Sequence, residues 1–149
     1  HLAMLAQIKS RDQDIWDSLN NSKHIEGKPN ESLIGRLSRM RNWIEGVHFP
    51  DDARIRIQEQ ISDENKQKLT ERQKLFLSEL SSEFESCEWT ENKVNELIRE
   101  TTMKIGIGRR EGYVALYLLI LGTDYGPRIA SIITELSRGQ IMQIFSKSL

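Results

Sequence analysis

Residues 109–136, RREGYVALYLLILGTDYGPRIASIITEL, decide the fold. Residues 113–121 are apolar on nearly every side, which is typical of a helix in the middle of a bundle. Gly122 is expected to end that helix, and Pro127 suits the first turn of the next one. The next helix carries apolar residues at spacings of three and four, namely Ile129, Ile132, Ile133 and Leu136. Two helices joined by a short polar loop therefore form the expected centre of the molecule.

Helical periodicity continues upstream. Apolar residues recur in a first amphipathic stretch: Leu5, Ile8, Ile15, Trp16 and Leu19. Asn30 or Ser32 is expected to cap a second helix that stops at Gly46. Ser62 opens one long charged helix with an apolar inward face, formed by Leu69, Phe76, Leu80 and Phe84. Thr90 caps a further helix that closes at Gly106.

Two segments are less regular. Residues 53–58 alternate apolar and polar side chains, which predicts a short strand or extended segment, although no partner strand is evident. Residues 138–145 are expected to form one more short turn of helix. The predicted class is all-α, a helical bundle or α-helix cage of about six to seven helices.

Composition excludes several classes of site. The 149 residues are 38% hydrophobic and 29% charged, as in an ordinary globular domain. The single Cys87 allows no internal disulfide and no cysteine-based metal site, and it is expected to be half-buried. His1, His24 and His48 are scattered, no glycine-rich phosphate loop occurs, and no apolar run reaches the length of a membrane span. We therefore expect neither a metal site nor catalysis in this chain.

Charge is distributed unevenly along the chain, although the net charge is only −1. Residues 51–91 hold eleven acidic and six basic side chains, whereas residues 99–149 hold seven basic and four acidic ones. A polyanion responds to the local field and not to the total charge. The last third of the chain is thus the candidate for nucleic-acid contact, with a solvated surface as the alternative.

Residues 106–145 carry a family resemblance. Tyr113, Ala115, Leu116 and Tyr117, then Leu121-Gly122, then Gly126-Pro127-Arg128 follow one another as in the C-terminal region of class I lysyl-tRNA synthetases. Upstream, residues 41–45 (RNWIE) resemble the Asn-Trp helix end of that family. The resemblance covers residues 32–145 and rests on the order and spacing of these motifs.

The resemblance implies a parent enzyme that joins lysine to its tRNA with ATP and magnesium. Its catalytic domain would carry HIGH-like and KMSKS-like motifs, which this chain lacks, so no cofactor is expected here. The implied partner is the anticodon loop of lysine tRNA, in a cytoplasmic and monomeric protein without membrane contact. Residues 1–4 are then interpreted as a cloning remnant, 5–50 as a helical linker of the kind that contacts a tRNA stem, and 51–149 as the anticodon-binding cage. The chain also opens in mid-helix, which suggests a piece of something longer.

Candidate contact residues follow from how proteins hold unpaired RNA, by stacking, by hydrogen bonds to base edges and by cations on phosphates. Gly126 and Arg128 are expected to offer backbone N–H groups and a guanidinium at a helix N-terminus; the alternative is a structural turn with Arg128 paired to a carboxylate such as Glu135 or Asp124. Tyr125, in the preceding loop, is a candidate for stacking.

Further candidates flank this loop. Lys104, Arg109 and Arg110 are expected to form a basic lip, or else to be solvated charges. Trp43 is either a stacking platform or a core residue. Tyr113 and Tyr117 are expected to be core residues with internally bonded hydroxyls. The rival function is a helical protein–protein interaction or regulatory module that docks through the acidic residues 62–85.

Overall fold

The computed structural model describes residues 2–21, 24–46, 48–50 and 54–149. Over these residues the chain forms nine helices and no strand. The all-helical class is therefore confirmed, but the expected count of six to seven helices was too low. The chain divides into two compact units, His1–Ile55 and Arg56–Leu149.

The first unit contains three helices, α1 (Leu2–Ile8), α2 (Asp12–Asn21) and α3 (Glu31–Glu45). The first amphipathic stretch is thus divided between two helices. Arg41 of α3 fastens them, because its guanidinium donates to the carbonyl oxygens of Ala6 and Lys9 at 3.2 Å each and to Asp12 Oδ1 at 2.8 Å. Asn30 is the N-cap of α3, since its side chain accepts from Leu33 N at 2.8 Å.

The second unit contains six helices, namely α4 (Asp63–Lys68), α5 (Glu71–Phe84), α6 (Glu91–Ile105), α7 (Arg109–Ile120), α8 (Ile129–Glu135) and α9 (Arg138–Ser148). Helix α7 packs against all the other five, so its central position is confirmed. The core is built from large, fully buried side chains, among them Phe76, Phe84, Phe145, Leu116 and Leu119.

The long charged helix expected after Ser62 is two helices. Ser62 caps α4, whose last residue is Lys68. Thr70 then starts α5 with a capping box, in which its hydroxyl accepts from Gln73 N at 3.1 Å and the Gln73 side chain accepts from Thr70 N at 2.9 Å. This reciprocal pair satisfies N–H groups that an uninterrupted helix would bond internally. The inward face is nevertheless confirmed, since Leu69, Phe76, Leu80 and Phe84 are all buried.

No strand forms at residues 54–58, and Ala53 lies outside the described residues. In the second unit the N–H of Gln58 donates to Ile120 O, at the end of α7, at 2.8 Å. The last carbonyls of a helix have no partner within the helix. One of them therefore accepts the hydrogen bond that a neighbouring strand would otherwise accept. The final helix is also longer than the short turn expected, because α9 continues to Ser148, whose buried hydroxyl accepts from Ile61 N at 2.8 Å.

Arg138 holds the junction between α5 and α6. Its guanidinium donates to Phe84 O at 3.2 Å, to Glu85 O at 2.8 Å and to Cys87 O, and it lies 5.2 Å from the ring centroid of Trp89. Cys87 is half-buried, as expected, and burial raises the pKa of its thiol. Every helix within the described ranges is too short or too polar to cross a bilayer.

Candidate nucleic-acid interface

Helix α6 presents two different faces. Thr90 caps it by accepting from Lys93 N at 3.2 Å, and Gly106 ends it with a φ of 84°. Val94, Leu97 and Ile98 are buried against the rest of the unit. Polar side chains on the other side, at spacings of three and four residues, are Asn92, Asn95, Glu96 and Arg99. Helical geometry therefore gathers these four into a single row.

A groove of about 330 Å³ lies between this row and α7. Its lining is polar and consists of Asn92, Asn95, Glu96, Arg99, Arg109 and Tyr113. The Tyr113 hydroxyl donates to Asn95 Oδ1 at 3.1 Å and so joins the two walls. The expected internal bond of Tyr113 is confirmed, although the residue is half-buried and lines a groove.

The groove has a positive balance. Arg99 and Arg109 are exposed, and neither guanidinium has a carboxylate partner within the described part of the chain. Glu96, the acidic side chain of the lining, is 3.8 Å from Lys93 Nζ. The groove thus holds two guanidiniums with no carboxylate partner among the described residues, whereas its carboxylate, Glu96, lies near a lysine. This balance favours an anionic ligand.

Tyr117 supports the loop between α7 and α8 through hydrogen bonds to its backbone. Its hydroxyl donates to Pro127 O at 2.6 Å and to Gly126 O at 3.3 Å, and burial raises its pKa. A Cβ at Gly126 would lie 2.7 Å from Leu121 Cδ1 and 3.2 Å from Tyr117 Cε1. Gly126 is therefore required by packing inside the loop. Tyr125, beside it, is 50% exposed and free to stack.

Arg128 is paired with Glu91. Its Nε lies 3.0 Å from Glu91 Oε1, at the first residue of α6, and neither Glu135 nor Asp124 is the carboxylate involved. Helix α8 begins at Ile129 and has seven residues, with Arg128 as its N-cap, so Pro127 precedes the helix and is not in its first turn. The expected helix-terminal anion site is thus reduced to an exposed ion pair beside the groove.

The predicted basic lip is only partly assembled. Arg109 lines the groove and Arg110 is exposed next to it in the chain. Lys104 instead forms an ion pair with Glu79 of α5, and that hydrogen bond raises the pKa of its amine. It lines a second groove, of about 110 Å³, together with Glu79, Glu83 and Glu100.

A model of the family described as the anticodon binding domain matches residues 10–143. The chain belongs to this family. The match includes both walls of the groove and the loop between α7 and α8. The rival interpretation as a protein–protein interaction module is not favoured.

Curated relatives of the anticodon-binding domain are archaeal lysine–tRNA ligases. The chain is 34% identical over 114 residues to that of Methanococcus maripaludis, covering 76% of this chain and 21% of the relative. It is 29% identical over 138 residues to that of Archaeoglobus fulgidus, covering 91% and 27%, and 26% identical over 159 residues to that of Pyrococcus horikoshii, covering 95% and 28%. The chain thus spans 21–28% of the length of these proteins.

The remaining predicted contact residue, Trp43, lies in the first unit. It is 51% exposed and meets Phe49 edge to face, with ring centroids 4.9 Å apart. It is therefore not a core residue, and its role in stacking stays a prediction.

Sequence reasoning did not select Asn92, Asn95 and Arg99, which line the groove of the anticodon-binding domain. Their spacing opposite the buried face of α6 was the available signal. The short loop between α6 and α7 indicates that they are neighbours, but the sequence could not supply the register that places Tyr113 opposite Asn95.

Proposed function

We propose that this chain binds the anticodon loop of lysine tRNA, as one domain of a lysine–tRNA ligase. The observation that carries the proposal is that the anticodon-binding family match contains the whole α6–α7 groove, whose two guanidiniums have no carboxylate partner among the described residues. The lysine identity is supported by the names of the relatives. Attachment of lysine with ATP and magnesium would belong to the parts of such a protein outside this chain, in a cytoplasmic and monomeric enzyme.

The chemistry of the surface suits an unpaired RNA loop. Arg99 and Arg109 can contact phosphates, which supply a salt-dependent share of the binding free energy. The side-chain amides of Asn92 and Asn95 can hydrogen-bond the edges of splayed bases. Tyr125 is exposed and can stack on a base, which contributes about 1–3 kcal/mol per base to the binding free energy.

The exposed pair of Arg128 and Glu91 fits the same role. Exposed ion pairs contribute only about 0–1 kcal/mol, so Arg128 can exchange its carboxylate for a phosphate at little cost. Arg110 is exposed without a carboxylate partner among the described residues and extends the basic edge. Lys104 is the weakest of the predicted contacts, because it is paired with Glu79 and two further carboxylates, those of Glu83 and Glu100, line the same groove.

The test is binding of the chain to a lysine tRNA transcript, measured by fluorescence anisotropy from roughly 50 to 200 mM salt. A transcript with the same body and a changed anticodon is the matched control. We expect the dissociation constant to rise steeply with salt and to be higher for the changed anticodon.

Two results would contradict the proposal. Equal affinity for both transcripts would remove anticodon-loop recognition and leave only non-specific attraction. Absence of salt-dependent binding to either transcript would remove the RNA-binding role of the groove.

A further inference from the structure

The amide of Asn95 is held in one orientation. The Tyr113 hydroxyl donates to its Oδ1, so the Nδ2 donors point away from Tyr113. No acceptor among the described residues takes a hydrogen bond from Nδ2. No buried side-chain nitrogen or oxygen in that part of the chain lacks a partner, so Nδ2 is accessible to solvent in the groove. The groove therefore presents the Nδ2 donors of Asn95 in one fixed orientation.

A cation stands next to this donor. Arg99 follows Asn95 by four residues, about 6 Å along the axis of α6, and Arg109 faces the same groove from α7. The volume of about 330 Å³ is at the small end of ligand sites. One nucleotide fits this combination, with its base at the amide and its phosphate at the guanidiniums.

We propose that the groove seats a single unpaired nucleotide and selects a base that presents a carbonyl oxygen to Asn95 Nδ2. This rests on the function proposed above. Uracil and guanine carry a carbonyl oxygen where cytosine and adenine carry an amino group. An amino group would meet the Nδ2 donors of Asn95 and leave both unpaired, which costs affinity. Asn95 is thus the specificity-determining residue, and Tyr113 is the positioning residue that fixes its amide.

The experiment uses a stem-loop RNA carrying the lysine anticodon, and a set of stem-loops in which each anticodon uridine is changed to cytidine in turn. The measured quantity is the ratio of dissociation constants, cytidine over uridine, at each position. For the unsubstituted chain we expect a ratio of about three to ten at one position, the factor that one hydrogen bond contributes.

Two variants identify the residues. Asn95→Asp replaces the donor by an acceptor, so the ratio at that position is expected to invert even though the added charge weakens all binding. Tyr113→Phe frees the amide to rotate and accept from cytidine, so the ratio is expected to approach one with little loss of affinity for uridine. Glu100→Gln, on the other side of α6, is the control and should leave the ratio unchanged. Circular dichroism of each variant checks that it is folded.

A ratio that is the same in Asn95→Asp as in the unsubstituted chain at all positions overturns this proposal. Salt-dependent binding would persist in that case, and the proposed function would stand. Failure of the unsubstituted chain to bind any of the stem-loops contradicts both proposals together.

Discussion

Helix α6 separates two grooves of opposite character. In the groove toward α7, Arg99 and Arg109 have no carboxylate partner among the described residues, and they lie beside the amides of Asn92 and Asn95. Toward α5 it contributes Lys104, which is already bound by Glu79. Both grooves contain basic residues from the same third of the sequence. Only the first has cationic groups available for a ligand.

The comparison shows that a count of charges is not a count of binding groups. Seven basic residues lie between positions 99 and 149, yet Lys104 lies in a groove with three carboxylates and Arg138 is engaged by backbone carbonyls. Partners supplied by other helices decide which charges remain for RNA. The comparison can be tested at four points.

The largest expected effect is at Arg138, a cation committed to structure. Arg138→Met keeps an unbranched apolar stem but leaves the carbonyls of Phe84, Glu85 and Cys87 without their donor. We expect the free energy of unfolding in urea to fall by about 2–3 kcal/mol. Arg110→Met is the matched control and should change it by no more than about 0.5 kcal/mol. Equal losses in the two variants would contradict the distinction.

The next effect concerns the close contact at Gly112, where α7 packs beside α6. A Cβ at Gly112 would lie 2.5 Å from Thr102 Cγ2 and 3.2 Å from Phe76 Cζ. Gly112→Ala is expected to lower the free energy of unfolding by about 1–2 kcal/mol, since overpacking outweighs the better helix propensity of alanine. Gly139→Ala is the control, because nothing lies within 4 Å of its Cβ. Equal stability of the two glycine variants would contradict the close packing of Gly112 against Thr102 and Phe76.

A smaller effect separates the two grooves directly. Arg109→Ala is expected to weaken RNA binding several-fold and to reduce the slope of log Kd against log salt by about one unit. Lys104→Ala should leave the slope unchanged, because its charge is already compensated by Glu79. The measurement is anisotropy with a lysine tRNA transcript over a salt series. An equal reduction in slope for both variants would show that the grooves do not differ toward RNA.

The smallest effect would convert the second groove toward the first. Glu79→Gln removes the carboxylate whose hydrogen bond raises the pKa of Lys104. The pKa of Lys104 then falls toward its ordinary value, and the amine stays protonated at neutral pH but is no longer neutralised. We expect RNA affinity to rise by a factor of about two at low salt and by less as salt screens the added charge. A gain that is independent of salt would not fit this explanation.

Most of the fold followed from local signals. The sequence predicts Thr90 as a cap, Asn30 as one of two candidate caps and Ser62 as the start of a helix, because a short polar side chain before an apolar period satisfies unpaired N–H groups; all three are N-caps. The break at Thr70 was missed because the pattern of inward apolar residues runs through it unchanged. Of the two alternatives expected at residues 53–58, a short strand or an extended segment, no strand forms at residues 54–58, because alternation of side chains does not supply a partner strand.

The sequence by itself determined the helical class, the buried faces and the absence of any phosphate-binding glycine loop, since each depends on residues near one another in the chain. It also placed the basic bias in the last third. The tertiary structure alone decided which of those charges are paired, because Glu79 lies 25 residues before Lys104 and Glu91 precedes Arg128 by the whole length of α6 and α7. It also decided that Asn95 presents a donor, through Tyr113, 18 residues further along the chain. Pairing of charges and orientation of amides depend on contacts across helices, and local periodicity carries no information about them.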